Sequence, residues 1–266
     1  MPDPEKVAQH IRETAEAEII PRFRQLGRDD IREKKPGDFV TLADLEAERQ
    51  LTERLGALLP GSVVLGEEAA FADRNRFELL AGDAPVWVID PVDGTANFAR
   101  GKPAFAVIVA LIEQARVRAG WIYEPLADTM VMAEAGQGAW SAGKRLATAS
   151  AVAPQDMVGA AYGRTKAGPR AAEALTASGR LGQVRNRGCS GLEYLDVALG
   201  RAQFSLHSRS LPWDHAAGML ITAESSGVAG FLDGSPYDPR IIDRAVLAAA
   251  GGAAWDIVRE VVRELC

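Results

Sequence analysis

Residues Trp87 to Phe98 read WVIDPVDGTANF, an apolar run that passes through two aspartates into the start of a helix. Val86 to Ile89 are β-branched and aromatic enough to read as a buried strand, and Asp90 and Asp93 sit at its end. Pro91 fixes φ between them, so both carboxylates and the carbonyl of Val92 can be held toward one side of a turn. Hard oxygen donors arranged in this way suit Mg²⁺ rather than zinc. Gly94 and Thr95 follow. A glycine that opens a helix lets backbone N–H groups point at an anion with help from the helix dipole, and the threonine hydroxyl can orient a water.

Three further segments bring acidic groups to comparable places. Gly37 to Asp44 (GDFVTLAD) starts a helix, with Asp44 three residues after Thr41 in capping-box spacing. Val63 to Leu65 reads as a short strand ending in Gly66, Glu67 and Glu68, and Leu211 to Gly218 (LPWDHAAG) places Asp214 near a helix start. If Glu67, Asp90, Asp93 and Asp214 converge, their charges repel, since carboxylates a few ångströms apart cannot all ionise cheaply. Two Mg²⁺ ions balance four negative charges and leave a neutral cluster able to receive a phosphate. A metal can also lower the pKa of a water from about 15.7 to about 7, which makes a nucleophile at neutral pH. Each segment alone is an ordinary acidic turn; together, and in this order, they point to metal-assisted hydrolysis of a phosphate ester.

Around these segments the chain reads as mixed layers. Val7, Ile11, Ala15, Ile19 and Phe23 recur every four positions and predict one amphipathic helix over Pro4 to Leu26, followed by a turn at Pro36 and Gly37 and a helix from Thr41 to Pro60. Ala104 to Ile112, Val117 to Tyr123 and Thr129 to Ala133 read as strands separated by turns, so residues 1–150 form an α+β subdomain with an antiparallel flavour. In residues 151–266 strands (Met157 to Tyr162, Gln183 to Arg187, Ala202 to Leu206) alternate with helices (near Ala171, Leu192 to Leu199, Trp213 to Ser225), a second, α/β subdomain that carries Asp214 within a single unit. Ala245 to Leu265 reads as one helix interrupted at Gly251 and Gly252.

Composition narrows the function classes. The 266 residues are 47% hydrophobic, and 30 Lys+Arg against 36 Asp+Glu give a net charge of −6, an ordinary globular balance that excludes disorder and collagen-like repeats. With no basic cluster beyond Arg32, Lys34 and Lys35 the chain lacks the footprint of a nucleic-acid binder. The longest apolar run, Pro103 to Ile112, is half of the roughly 20 residues that a membrane-spanning helix needs, so no membrane partner is expected. The acidic MPDPEKVAQH start does not resemble a signal peptide, and Cys189 and Cys266 are too far apart in sequence to suggest zinc or a disulfide framework; a cytoplasmic setting is expected.

WVIDPVDGTANF matches the signature W-x-I-D-P-x-D-G-T-x-N-F, and with GEE, D-x-V-T-x-A-D and WDHAAG it resembles the inositol monophosphatase family, Mg²⁺-dependent and lithium-sensitive phosphatases. The resemblance implies an αβαβα layered sandwich, a homodimer and two to three Mg²⁺ per site. It puts Glu67, Asp90 and the Val92 carbonyl on one ion and Asp90, Asp93 and Asp214 on a second. Thr95 and Glu67 would act on the attacking water and Asp44 would support the threonine. Substrate contacts would come from Asp93, Gly94, Thr95 and Asp214, and from Gly188, Cys189 and Ser190 in the GCSG turn, which lacks the spacing of a serine-hydrolase elbow.

One position departs from the pattern. Inositol phosphatases carry a glutamate seven residues before the aspartate of the WD element; here that residue is His207, with Arg209 two further on as a candidate grip for a second anion. His215 is expected to face away from the site. The expected substrate is a small polyol or sugar phosphate, with inositol monophosphate first. Fructose 1,6-bisphosphate, histidinol phosphate and 3′(2′),5′-bisphosphate nucleotides are the alternatives, and a catalytically silent metal-binding regulator is the non-enzyme alternative.

Overall fold

The structure is a computed structural model that describes residues 1–35, 37–163 and 171–265. Pro36 and Cys266 therefore lie outside the described residues. In chain order the elements are α1 (Pro4–Thr14), a hairpin of β1 (Ile31–Lys35) and β2 (Asp38–Thr41), α2 (Leu42–Leu58), β3 (Val63–Gly66), α3 (Glu67–Ala72), β4 (Val86–Asp93) and α4 (Thr95–Ala99). β5 (Ala106–Glu113), β6 (Arg116–Glu124), β7 (Thr129–Glu134), β8 (Gly138–Ser141) and β9 (Lys144–Arg145) complete the first half. The second half holds β10 (Val158–Tyr162), α5 (Ala171–Ala177), β11 (Gln183–Arg185), α6 (Ser190–Ala198), β12 (Phe204–His207), α7 (Pro212–Glu224), β13 (Val228–Phe231), β14 (Val246–Ala249) and α8 (Gly252–Leu265).

Strand alternation sorts these elements into five layers. A seven-stranded sheet of order β3-β4-β5-β6-β7-β8-β9 is antiparallel except for the β3–β4 pair. On one face Trp87, Ile89, Val107, Val109 and Trp121 meet Val7 and Ile11 of α1 and Leu51 and Leu55 of α2. On the other, Val88, Ile108, Ala110 and Ile122 meet Leu195 of α6 and Ala216 and Ala217 of α7. The second sheet, β11-β10-β12-β14-β13, turns Val246 and Ala248 toward that same helical layer and Phe204, Leu206, Leu247 and Ala249 toward α5 and α8. The order is helix, sheet, helix, sheet, helix, as the family resemblance implied. The same period of two puts Ser205 and His207 on the face opposite Phe204 and Leu206.

Three expectations are corrected. The first helix is not one α-helix to Leu26: after Thr14 it widens into a π turn (Ala15–Ile19), where the Ile20 N–H bonds the Ala15 carbonyl, and ends as a 3₁₀ turn at Arg22. Pro21 has no N–H to continue the ladder. The strand expected to end at Ile89 runs on to Asp93, with an irregularity in its pairing between Asp90 and Asp93 opposite β5. Val246–Ala249 is not helical: it is a strand between β12 and β13, antiparallel to both, and α8 begins only at Gly252. All four β14 residues are fully buried, and that burial on both faces overrides the helix preference of an alanine-rich run.

Candidate active site

Asp90, Asp93 and Asp214 each offer a carboxylate oxygen to one cluster, all within 4.8 Å of one another. β4 delivers the first two and the first turn of α7 the third. Val92 N–H donates to Asp90 Oδ1 at 3.1 Å, and Gly191 N–H (2.6 Å) and the Cys189 thiol (3.0 Å) donate to Asp93 Oδ2. Burial first, and then the neighbouring carboxylates Glu67, Asp93 and Asp214, pushes the Asp90 carboxyl well up. Asp214 is raised for the same reasons, by burial and then by Asp93 and Glu67, and burial also raises Asp93. A buried set of hard oxygens with this much unbalanced charge fits a divalent cation such as Mg²⁺.

Glu67 is near but outside that trio. Its Oε1 accepts from Lys34 Nζ at 3.1 Å, and the same ammonium reaches Glu68 at 2.9 Å and Asp38 at 3.6 Å. Burial works against the Lys34 charge, yet Glu67 and Glu68 hold its pKa above the usual lysine range. Glu68 is pushed up to about 8 by burial and then by Glu67. Behind them the Glu48 carboxylate accepts the N–H groups of Glu68 (2.9 Å) and Ala69 (3.0 Å), which caps α3 and fixes the Glu67 backbone.

Thr41 caps α2, its N–H donating to Asp44 Oδ2 at 2.8 Å and its hydroxyl to the same oxygen. The Thr95 hydroxyl lies 3.0 Å from Asp44 Oδ1 and 2.9 Å from the Val92 carbonyl. Asp44, fully buried, is pushed up to about 7 by burial, against the hydrogen bonds from Thr41. Gly94 takes φ +88°, and a Cβ there would lie 2.8 Å from the Ala104 carbonyl, so the turn between β4 and α4 requires glycine.

These groups floor a cleft of about 460 Å³. Asp93, Gly94, Thr95, Gly188, Cys189, Ser190, His207 and Asp214, all expected at the site, line it. Burial, and then Asp93, pushes the Cys189 thiol well up, so it acts as a hydrogen-bond donor. Ser190 Oγ donates to the Asp214 carbonyl at 3.1 Å. Arg209 is not in the lining and is exposed. His215, expected to face elsewhere, lines the cleft: its Nδ1 lies 2.9 Å from the Tyr194 hydroxyl and its ring 4.7 Å from that of His207.

His207 is backed by a network that the sequence did not reveal. Its Nε2 lies 2.7 Å from Ser205 Oγ and 3.4 Å from Glu193 Oε2, and its ring stacks on Tyr194 at 5.6 Å. Glu193 Oε1 accepts the Arg187 N–H at 2.9 Å. Burial lowers the imidazole to about 3 and raises the Glu193 carboxyl to about 8, so both are neutral at pH 7. Lys34, Glu48, Glu193, Phe39, Arg100 and Tyr162 were likewise missed; they come from a charged hairpin and from helices and strands whose side-chain directions only the assembled layers set.

A model of the inositol monophosphatase family matches residues 4–265. The fructose-1,6-bisphosphatase/inositol-1-monophosphatase of Thermotoga maritima is 31% identical over 210 residues, 78% of each chain. The inositol-1-monophosphatase of Mesorhizobium japonicum is 34% identical over 205 residues, 76% of this chain and 75% of the relative. Among solved structures, an inositol monophosphatase of Thermotoga maritima superposes with a TM-score of 0.78 at 26% identity, covering 97% of both chains. The extragenic suppressor protein SuhB of Bartonella henselae does so at 0.79 and 26%, covering 98% and 97%. The strand-end aspartates, the Thr95–Asp44 pair and the five-layer sandwich thus have counterparts over nearly the whole length, and the chain belongs to the inositol monophosphatase family of phosphoric monoester hydrolases.

Proposed function

We propose that the chain is a Mg²⁺-dependent phosphomonoesterase acting on a small polyol or sugar phosphate. The observation that carries the reading is the buried trio Asp90, Asp93 and Asp214 beside the start of α4. Glu67, Asp90, Asp93, Asp214 and the Val92 carbonyl would hold the Mg²⁺ ions, two to three per site. Bound there, Mg²⁺ would neutralise the cluster, acidify a water and stabilise the leaving oxygen. Thr95, donating to Asp44, turns a lone pair outward to orient the attacking water, and Glu67 accepts its proton. The N–H groups at the Gly94–Thr95 turn meet the phosphate oxygens, and Asn97, within 2.9 Å of the Arg187 carbonyl and 3.0 Å of the Ala104 carbonyl, ties that turn to the Gly188–Ser190 loop.

On the leaving-group side His207 presents a neutral ring where an ionised carboxylate would bind two hydroxyls, which supports a sugar phosphate over inositol. A homodimer, lithium sensitivity and a cytoplasmic setting belong to the same reading and rest on family resemblance. The test is phosphate release with and without Mg²⁺ from inositol 1-phosphate, fructose 1,6-bisphosphate, histidinol phosphate, adenosine 3′,5′-bisphosphate and glycerol 2-phosphate. Mg²⁺-dependent release with a preference for one sugar or polyol ester is expected. One observation favours a second reading: an Escherichia coli relative 32% identical over 231 residues is named Nus factor SuhB. Mg²⁺ binding without release from any ester would favour that binding role.

A further inference from the structure

The cleft carries a positive charge that the hydrolysis itself does not use. Arg100 follows the last residue of α4, lines the cleft and is exposed, and its guanidinium carbon stands 5.4 Å from the centroid of the Phe39 ring. Among the described residues no carboxylate lies in ion-pair contact with it. A guanidinium braced on an aromatic face keeps its edge N–H donors free and pre-ordered, the form in which arginine takes phosphate bidentately.

The rest of the rim leaves that charge unopposed. Asp38 shares the Lys34 ammonium at 3.6 Å, and Glu193 and His207 are neutral. Spacing then says where a second anion would sit. Thr95 and Arg100 are separated by the length of α4, about 7.5 Å at roughly 1.5 Å per residue. That is too far for groups on adjacent carbons and suits the two ends of a short sugar chain. Arg209, the sequence-based candidate for this task, is exposed outside the cleft lining.

We propose that Arg100, braced on Phe39, is a second-anion subsite that selects sugar or polyol bisphosphates whose second phosphate lies at the far end of the chain from the one hydrolysed. The inference rests on the phosphomonoesterase reading above and names its substrate class.

The experiment compares kcat/KM with Mg²⁺ for fructose 1,6-bisphosphate and glycerol 2-phosphate in the wild-type chain, Arg100→Ala, Arg100→Gln and Arg100→Lys, with thermal melts to confirm folding. Wild type should favour the bisphosphate. The ratio of the two kcat/KM values should fall about tenfold or more in Arg100→Ala and Arg100→Gln, mainly through the KM of the bisphosphate, and recover in part in Arg100→Lys. Equal losses on both esters, an unchanged ratio, or a wild-type preference for glycerol 2-phosphate overturns the inference while leaving the phosphatase reading standing. No Mg²⁺-dependent release from either ester in wild type overturns both.

Discussion

Asp44 is fully buried and accepts from Thr41 and Thr95, so its role is to fix the threonine hydroxyl rather than to touch substrate. Thr95→Ala removes the group that orients water and leaves the cluster of aspartates in place. kcat should fall about 100-fold with KM changed only a few-fold, measured by steady-state phosphate release. Glu193 gives a prediction in stability. Its carboxyl titrates near 8 in the folded chain against an ordinary value of 4.5. Between those values the folded chain holds a proton that the unfolded chain has lost, so stability present below the lower value is lost as pH rises through the upper. For His207, lowered to about 3 from 6.5, the sign reverses and stability is lost as pH falls through that window. Melts of wild type and Glu193→Gln in EDTA should therefore diverge as pH rises from 5 to 8, the variant gaining relative stability at up to about 1.4 kcal/mol per pH unit. Parallel curves would contradict the assignment of a neutral carboxyl behind His207.

At the scale of elements, α7 is the wedge that brings Asp214 to the β4 aspartates. It fits because two glycines clear its path: a Cβ on Gly218 would lie 2.2 Å from the Tyr194 ring, and one on Gly120 of β6 would lie 2.8 Å from the Ala217 Cα. Gly218→Ala should destabilise by about 1–3 kcal/mol, seen as a lowered melting temperature, with Mg²⁺-dependent turnover falling because Asp214 is displaced. The β4 and α7 segments were legible because both break a local rule: an apolar run ends in unpaired acids. The capping box of α2 and the strands from Ala106 to Glu134 followed from pattern alone. The hairpin Ile31–Thr41 did not, because IREKK carries charge where alternation would be read, and its Lys34 is buried only by partners 33 and 34 residues away. β14 failed for a related reason, since its strand state is imposed by β12 and β13. Glu193 and Arg100 looked like ordinary helix-surface charges until the layers closed around them.

For the whole molecule, folding gathers buried carboxylates of raised pKa at the meeting of two sheets and their shared helices, and a bound cation relieves that cost. Mg²⁺, binding the folded chain and not the unfolded one, should raise the melting temperature in a concentration-dependent way, and EDTA should remove the gain; a Mg²⁺-independent melt would show that the cluster holds no ion. No helix among the described residues is long and apolar enough to cross a membrane. The measurement closest to the centre of the account is Mg²⁺-dependent phosphate release from fructose 1,6-bisphosphate by wild type and Asp93→Asn side by side, with melts to show that both are folded. Release lost by orders of magnitude in the variant is predicted. Undiminished release from Asp93→Asn, or wild-type release that EDTA leaves intact, would contradict the assignment of this aspartate cluster as the catalytic metal site.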